Sequence, residues 1–297
     1  MEREQLEEQV RALDEARAFV RHPGMRLTWV GGSEARGWLQ DLITADVAEL
    51  QPFRTRRALL LSPTGRIRAD LHVLGFGEAR QSFVLARSSD QPEDLVELLG
   101  RYVLSSDVDL RPAPFEIVSV PGADPTLLGS SQVWRPSVLG AGVDLMAVRS
   151  AVDRDVLPRL EERGLIEAEG PAVEAWRIRR GVPRFPIDLD EDSLPAEAGL
   201  DDEVVIDHAK GCYLGQESVA KVRNLGHPTR LVIALGSPST VEAGDVVLAR
   251  GAAGDEDVGV VTSADAGPDG SAVIARVRWE ARAAELRTDS GAPLRPR

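Results

Sequence analysis

The stretch RALLLSPTGRIRADLHVL, residues 57–74, constrains the fold more than any other part of the chain. Two apolar runs flank Pro63, Thr64 and Gly65, residues suited to a chain reversal, so the segment is expected to form a β-hairpin. Its second half alternates, with Ile67, Ala69, Leu71 and Val73 on one face and Arg66, Arg68, Asp70 and His72 on the other. MRLTWVGG (25–32) reads as a strand ending in a turn. Ser33 is placed to cap a following helix, SEARGWLQDLI, with Glu34 at its positive end. SFVLAR, FEIVSV and VDLMAV read as further strands. QPEDLVELLGRYVL, with Leu95, Leu98 and Leu99 on its buried side, reads as a helix, as do residues 153–163 and 171–180. Antiparallel strands interleaved with helices define an α+β fold.

The two ends differ from this middle. MEREQLEEQVRALDEARAFV places Leu6, Val10, Leu13 and Ala16 at helical spacing and reads as a charged amphipathic helix. It is rich in Glu and has no apolar stretch of the signal-peptide kind. After Pro228 the texture changes to short strands (RLVIALG, DVVLARG, DVGVVTSA, SAVIARVRWEA) separated by Gly, Asp and Pro, the pattern of a small all-β barrel or sandwich. The expected organisation is an N-terminal helix over residues 1–24, an α+β region over 25–228 and a β-domain over 229–297.

Composition narrows the partners. A net charge of -13 disfavours nucleic acid, and no run is apolar enough for a membrane span. One cysteine excludes an internal disulfide framework and fits a reducing cytoplasm. It also rules out a zinc site built by one chain from four cysteines, or from two cysteines and two histidines. We expect a cytoplasmic monomer.

Of the two lysines in the chain, Lys210 and Lys221, both bracket KGCYLGQESVAK, which also holds the sole cysteine, Cys212, and one of two tyrosines, Tyr213. Gly211 and Gly215 permit tight turns or close approach to a ligand. GQESVAKV reads as a helix, so Cys212 falls just before a helix N-terminus with Lys210 nearby, and both features favour thiolate. The alternative is a small buried hydrophobe. Tyr213 fits either stacking on a planar ligand or a place in the core, and Gln216 and Glu217 could simply cap the helix. Upstream, Pro183 and Pro186 reject helix and central strand. They produce a long loop that gathers Arg177, Arg179, Arg180 and Arg184 beside Asp188, Asp190, Glu191 and Asp192, either a working loop or a solvated charged one.

KGCYLGQE followed by Arg223 and GHPTR resembles the signature of the folate-binding YgfZ-type proteins, which are implicated in iron–sulfur cluster assembly or repair. WLQDLITADV (38–47), LLLSPTGRIRADLHVL (59–74) and GVPRFPIDLDEDSLPAEAGLD (181–201) resemble that family in the same order. The wider superfamily includes the glycine cleavage T-protein, an aminomethyltransferase. The resemblance implies two intertwined α/β lobes with a folate pocket between them and a small C-terminal β-barrel. It implies tetrahydrofolate or a one-carbon derivative as cofactor, and iron–sulfur client or assembly proteins as partners. Asp70 of GRIRADL resembles the T-protein's catalytic carboxylate, Glu197 of LPAE its folate-binding glutamate, and Arg230 the arginine near the folate tail. Arg223, Tyr213 and Asp188 complete the implied cofactor contacts, and Cys212 and Lys210 join Asp70 as the implied reactive groups. T-proteins usually lack the cysteine, which places Cys212 on the YgfZ side; some YgfZ-type members lack the acid at Asp70, so its presence leaves aminomethyl transfer open. The third reading is a non-catalytic protein-binding module with a vestigial pocket.

Overall fold

The computed structural model describes residues 1–77, 82–128, 133–202, 204–251 and 254–297. In chain order it holds α1 (Arg3–Asp14), β1 (Ala18–Arg21), β2 (Met25–Gly31), α2 (Ala35–Leu42), β3 (Thr55–Leu61), β4 (Ile67–Phe76), β5 (Ser82–Ser88), α3 (Leu95–Gly100), β6 (Asp109–Pro112), β7 (Glu116–Pro121) and β8 (Gly142–Ala147). There follow α4 (Arg149–Ala151), a π-turn over Val152–Val156, α5 (Leu157–Glu162), β9 (Ile166–Glu167), α6 (Gly170–Arg179), a 3-10 turn over Pro195–Ala198 and α7 (Gln216–Leu225). The last strands are β10 (Arg230–Ser237), β11 (Val246–Gly251), β12 (Gly254–Gly267), β13 (Gly270–Arg278), β14 (Leu286–Thr288) and β15 (Pro293–Pro296).

Two compact units are built from interleaved stretches of chain. One comprises Met1–Leu61, Arg68–Val173 and Glu203–Leu214, the other Ser62–Ile67, Glu174–Asp202 and Gly215–Arg297. The first holds two sheets, ordered β3-β4-β5-β2-β6 and β8-β7-β1-β9. Trp38, Leu39 and Leu42 of α2, with Leu95, Leu98 and Leu99 of α3, cover one face of the five-stranded sheet, packing on Ala58, Leu60, Ala69, Leu71, Val73, Phe83 and Leu85. Leu160 of α5 packs on Phe19, Val118, Val120 and Val143 of the four-stranded sheet. The opposite faces meet through Leu74, Val84 and Ala86 from one sheet and Ile117 from the other, with Trp134 between them. The alternation of β4 dictates this sandwich: Ala69, Leu71 and Val73 lie under the helices, and Asp70 and His72 project into the layer between the sheets.

In the second unit six strands close a barrel in the order β10-β13-β12-β11-β14-β15 around Leu235, Val247, Val261, Val273, Ala275 and Leu294. The hairpin tip belongs to this unit. Gly65 sits at φ +77°, and a side chain there would come within 2.6 Å of the Ser218 Cβ. Glycine is therefore required by both backbone angle and space.

Two local expectations are corrected. The N-terminal helix does not reach Ala16: it ends at Asp14, Ala16 takes a positive φ of 55°, and Ala18–Arg21 leaves as strand β1, parallel to β9 and antiparallel to β7. Ser33 does not cap α2, because its hydroxyl and amide both bond the Asp107 carboxylate, at 2.6 and 3.1 Å. Glu34 occupies the cap position without a side-chain cap, and its carboxylate accepts from the Asp107 amide.

Candidate functional site

In the layer between the two sheets of the first unit, Asp70 is bound by both arms of Arg57. Nε reaches Oδ1 at 3.0 Å and a terminal nitrogen reaches Oδ2 at 2.6 Å. The Asp70 side chain keeps 11% of its exposure. Burial alone would raise its carboxyl, but the Arg57 charge and hydrogen bonds, with His72 adding to them, hold it below the ordinary range. Asp70 is thus an ionised carboxylate at neutral pH with a fixed orientation. Gln91 brackets the same residue, accepting from the Asp70 amide and donating to its carbonyl.

Two imidazoles lie in the same layer, His72 beside the pair and His22 beside His72. Burial lowers His72 to about 4, with Asp70 opposing and Arg57 reinforcing the shift. Burial, reinforced by His72, lowers His22 to about 4 against the pull of Glu116. Both rings are neutral at physiological pH. Behind His22 lies a buried polar chain. His22 Nε2 is 2.9 Å from the Ser119 hydroxyl, which donates to Asp144 Oδ1 at 2.6 Å. Ser137 donates to the same oxygen at 2.6 Å and the Val138 amide to Oδ2 at 2.8 Å. Burial raises Asp144 to about 6 despite these three donors. Arg57, His22, His72, Ser119 and Asp144 were not singled out from the sequence as site residues. Strand alternation put His72 on the Asp70 face, but nothing local announces which residues of β3, β7 and β8 look into that layer.

The KGCY segment also lies in the first unit. The Asp207 amide bonds the Thr44 carbonyl at 3.0 Å, and Asp207 Oδ1 accepts from the amides of Ala209 and Lys210. This turn carries Lys210 Nζ to the carbonyls of Gln40, Ile43 and Ala45, at 2.6, 2.8 and 2.9 Å. It lies 5.6 Å from the Tyr213 ring centroid. Burial lowers this ammonium to about 8, with Asp46, Asp207 and Asp41 opposing. Lysine is needed here because a single compact donor satisfies three carbonyls where the chain leaves α2. Cys212 is exposed, and Tyr213 is buried.

In the second unit Glu197, on the 3-10 turn, is 1% exposed and accepts from Arg230 Nε at 3.1 Å. Burial raises its carboxyl, outweighing Arg230 and the Leu194 amide. Arg230 also reaches Asp190 Oδ1 at 3.4 Å, and Arg276 takes the other Asp190 oxygen. Asp188 is fully buried, and its carboxylate is filled by Arg177 at 2.6 Å, the Arg184 amide at 2.9 Å, Thr262 at 2.6 Å and Ser263 at 2.7 Å. It ties the proline-rich loop to β12, so this loop is anchored rather than solvated. Arg223 is exposed on α7. A shallow depression lined by Leu194, Pro195, Ala196, Asp201, Val219 and Val222 contains none of the candidate residues.

A closed six-stranded barrel following two α/β sheet layers is the architecture of the aminomethyltransferase fold. The chain aligns with glycine cleavage system aminomethyltransferase T from Bartonella henselae at a TM-score of 0.78 and 19% identity, over 96% of this chain and 87% of that one. No known family profile matches. It is 26% identical over 236 residues to the human mitochondrial iron–sulfur cluster assembly factor IBA57, and 26% identical over 227 residues to the IBA57 homologue of Pyricularia oryzae. Each alignment spans 70% of this chain, but 63% of the human protein and 54% of the fungal one. An uncharacterized protein of Haemophilus influenzae is 24% identical over 83% of this chain and 84% of its own length. The chain has the aminomethyltransferase fold and is similar in sequence to IBA57-type iron–sulfur cluster assembly factors. Among the described residues no helix is long and apolar enough to cross a membrane.

Proposed function

We propose that the chain is a tetrahydrofolate-binding accessory protein for the assembly or repair of iron–sulfur enzymes. The observation that carries this reading is the set of buried, arginine-held carboxylates, Asp70 on Arg57 and Glu197 on Arg230, in a chain similar to iron–sulfur cluster assembly factors. The donor set fits a reduced folate. Its pterin edge is rich in N–H donors, which a buried carboxylate such as Glu197 accepts. Its tail is anionic and suits a guanidinium such as the exposed Arg223, since Arg230 is engaged by Glu197 and Asp190. When bound, the folate would supply a one-carbon carrier; the protein's part is to bind and orient it. Asp188, with every carboxylate position occupied from within, holds the loop rather than contacting the cofactor.

Cys212 is the proposed functional thiol. Its exposure supports a role as transient ligand, redox group or acceptor during cluster handling. Among the described residues no group of three His, Cys, Asp or Glu side chains gathers as metal ligands, so a cluster would take further ligands from a partner or a small thiol. The reading places the protein in the cytoplasm, with client or assembly proteins as partners.

The second reading is aminomethyl transfer, favoured by the ionised Asp70. Calorimetric titration of the purified protein with tetrahydrofolate and its 5-formyl and 5,10-methylene forms tests both. Saturable binding is expected; no heat with any form would leave a non-catalytic module. Formation of methylene-tetrahydrofolate from an aminomethyl-loaded lipoyl carrier, lost in Asp70→Asn, would replace the first reading with the second.

A further inference from the structure

The hydrogen-bond chain behind His22 determines which ring nitrogen carries its proton. An ionised Asp144 can only accept, so the single Ser119 hydroxyl hydrogen is committed to Asp144 Oδ1. Ser119 can then meet His22 only as an acceptor, and the 2.9 Å contact requires Nε2–H. The neutral ring therefore carries its lone pair on Nδ1. Among the described residues, neither His22 Nδ1 nor either ring nitrogen of His72 has a hydrogen-bond partner, though each ring is drawn into the layer that holds Asp70. A polar nitrogen so placed, with its tautomer set from behind, is suited to a donor that arrives from outside the chain.

We propose that Asp144 and Ser119 are positioning residues that lock His22 as the Nε2–H tautomer, so that Nδ1 presents a hydrogen-bond acceptor to an N–H-bearing ligand in the layer that also holds His72 and Asp70. The ligand class rests on the folate reading above; the lock does not. Three features make the arrangement specific. Both Ser119 and Ser137 are buried and spend their hydrogens on one carboxylate oxygen. The backbone amide of Val138 fixes the other oxygen. The groups bearing on His22, namely His72 and Glu116 with its partners Arg21 and Arg149, leave the ring neutral, so the tautomer rather than the charge is what the site selects.

Asp144→Asn gives an opposite, atom-level expectation. The Val138 amide keeps the Asn oxygen on its side, and the two Asn N–H groups then face Ser119 and Ser137. Ser119 recovers its hydrogen, donates it to His22 Nε2, and moves the ring proton to Nδ1. Protonation of Asp144 below about pH 6 should act in the same direction while His22 is still neutral.

The experiment is a long-range nitrogen–proton spectrum of the full chain labelled at its histidines, with His22 assigned by its loss in His22→Gln. Wild type at pH 7.5 should show protonated Nε2 and Asp144→Asn protonated Nδ1; Ser119→Ala, which keeps the carboxylate, should show a mixture. Protonated Nδ1 in wild type, or an unchanged ring in a folded Asp144→Asn, overturns the lock. Tetrahydrofolate titration is the second arm. Asp144→Asn should bind about tenfold more weakly, the loss of roughly one hydrogen bond. A flipped tautomer with unchanged affinity overturns the ligand-facing role. Absence of folate binding by wild type removes the folate reading, while the spectrum still decides the lock.

Discussion

Replacing Arg57 with Met tests whether Asp70 is kept ionised by this one residue. The pair is nearly enclosed, with side-chain exposures of 23% and 11%, and makes two bonds of 3.0 and 2.6 Å. Stripping one partner from a fully buried pair costs about 3–5 kcal/mol, because a charge is left uncompensated. The remaining exposure lets water screen part of that, so we expect about 2–3 kcal/mol here. Asp70→Asn should cost less, since the amide oxygen still accepts from Arg57, and a double-mutant cycle should return a coupling of about 1.5–2.5 kcal/mol. The pH dependence gives the sign. In the wild type the folded carboxyl lies below its unfolded value, so it stabilises above the unfolded value and that contribution fades as pH falls through the folded one. In Arg57→Met burial is no longer outweighed, the folded carboxyl rises above the unfolded value, and the penalty is present at pH 7 and relieved by acidification. Urea unfolding of the four proteins at pH 7 and pH 4.5 measures both. A coupling under about 0.5 kcal/mol, or an Arg57→Met penalty equal at the two pH values, would refute the assignment.

Four further outcomes follow from the geometry. Glu197→Gln should weaken tetrahydrofolate binding by about 1.5–3 kcal/mol in the calorimeter with little change in unfolding, and unchanged affinity would remove Glu197 from the site. Lys210→Met leaves the carbonyls of Gln40, Ile43 and Ala45 without their donor and should cost about 1.5–3 kcal/mol in urea unfolding; a neutral effect would mean that water replaces the ammonium freely. His22 and His72 sit at about 4 in the fold against about 6.5 unfolded, so the stability they contribute is present above pH 6.5 and is lost between pH 6.5 and 4. Asp144, raised to about 6, opposes that loss, so His72→Gln should flatten the acid limb of a stability–pH curve and Asp144→Asn should steepen it. Cys212 should alkylate in the native protein, and Cys212→Ser should keep fold and folate binding yet fail to restore iron–sulfur enzyme activity in cells lacking the protein; full complementation would make the thiol dispensable.

What was legible in the sequence followed local periodicity. The 57–74 hairpin, strands β2, β5, β7 and β8, helices α3 and α6, and the change to short strands after Pro228 are all visible as alternation or turn chemistry. The misses are places where a distant residue overrules a local signal. Ser33 has the chemistry of a helix cap, yet Asp107, 74 residues away, takes its hydroxyl. Ala16 continues the helical spacing of α1, yet the sheet partners of Ala18 and Phe19, Ile166 and Glu167, draw the chain out of the helix. Strands β14 and β15 are three and four residues long and carry prolines at the ends of the last, so they gave no pattern, although they close the barrel.

The candidate site divides the same way, and the division has a physical reason. Asp70 and His72 could be paired from the sequence because strand alternation fixes which residues share a face. Alternation does not say what that face confronts. Arg57 sits on the neighbouring strand, where the side facing Asp70 depends on the register of the hairpin, and His22, Ser119 and Asp144 come from three other segments. The lysine puzzle resolves in a similar way. Lys210 read as a companion of Cys212 because the two are neighbours in the chain, whereas its ammonium bonds carbonyls some 165–170 residues earlier. A residue kept against the compositional bias of a chain marks a chemical requirement, here a compact three-way donor. Only the fold reveals that the requirement lies at the end of α2.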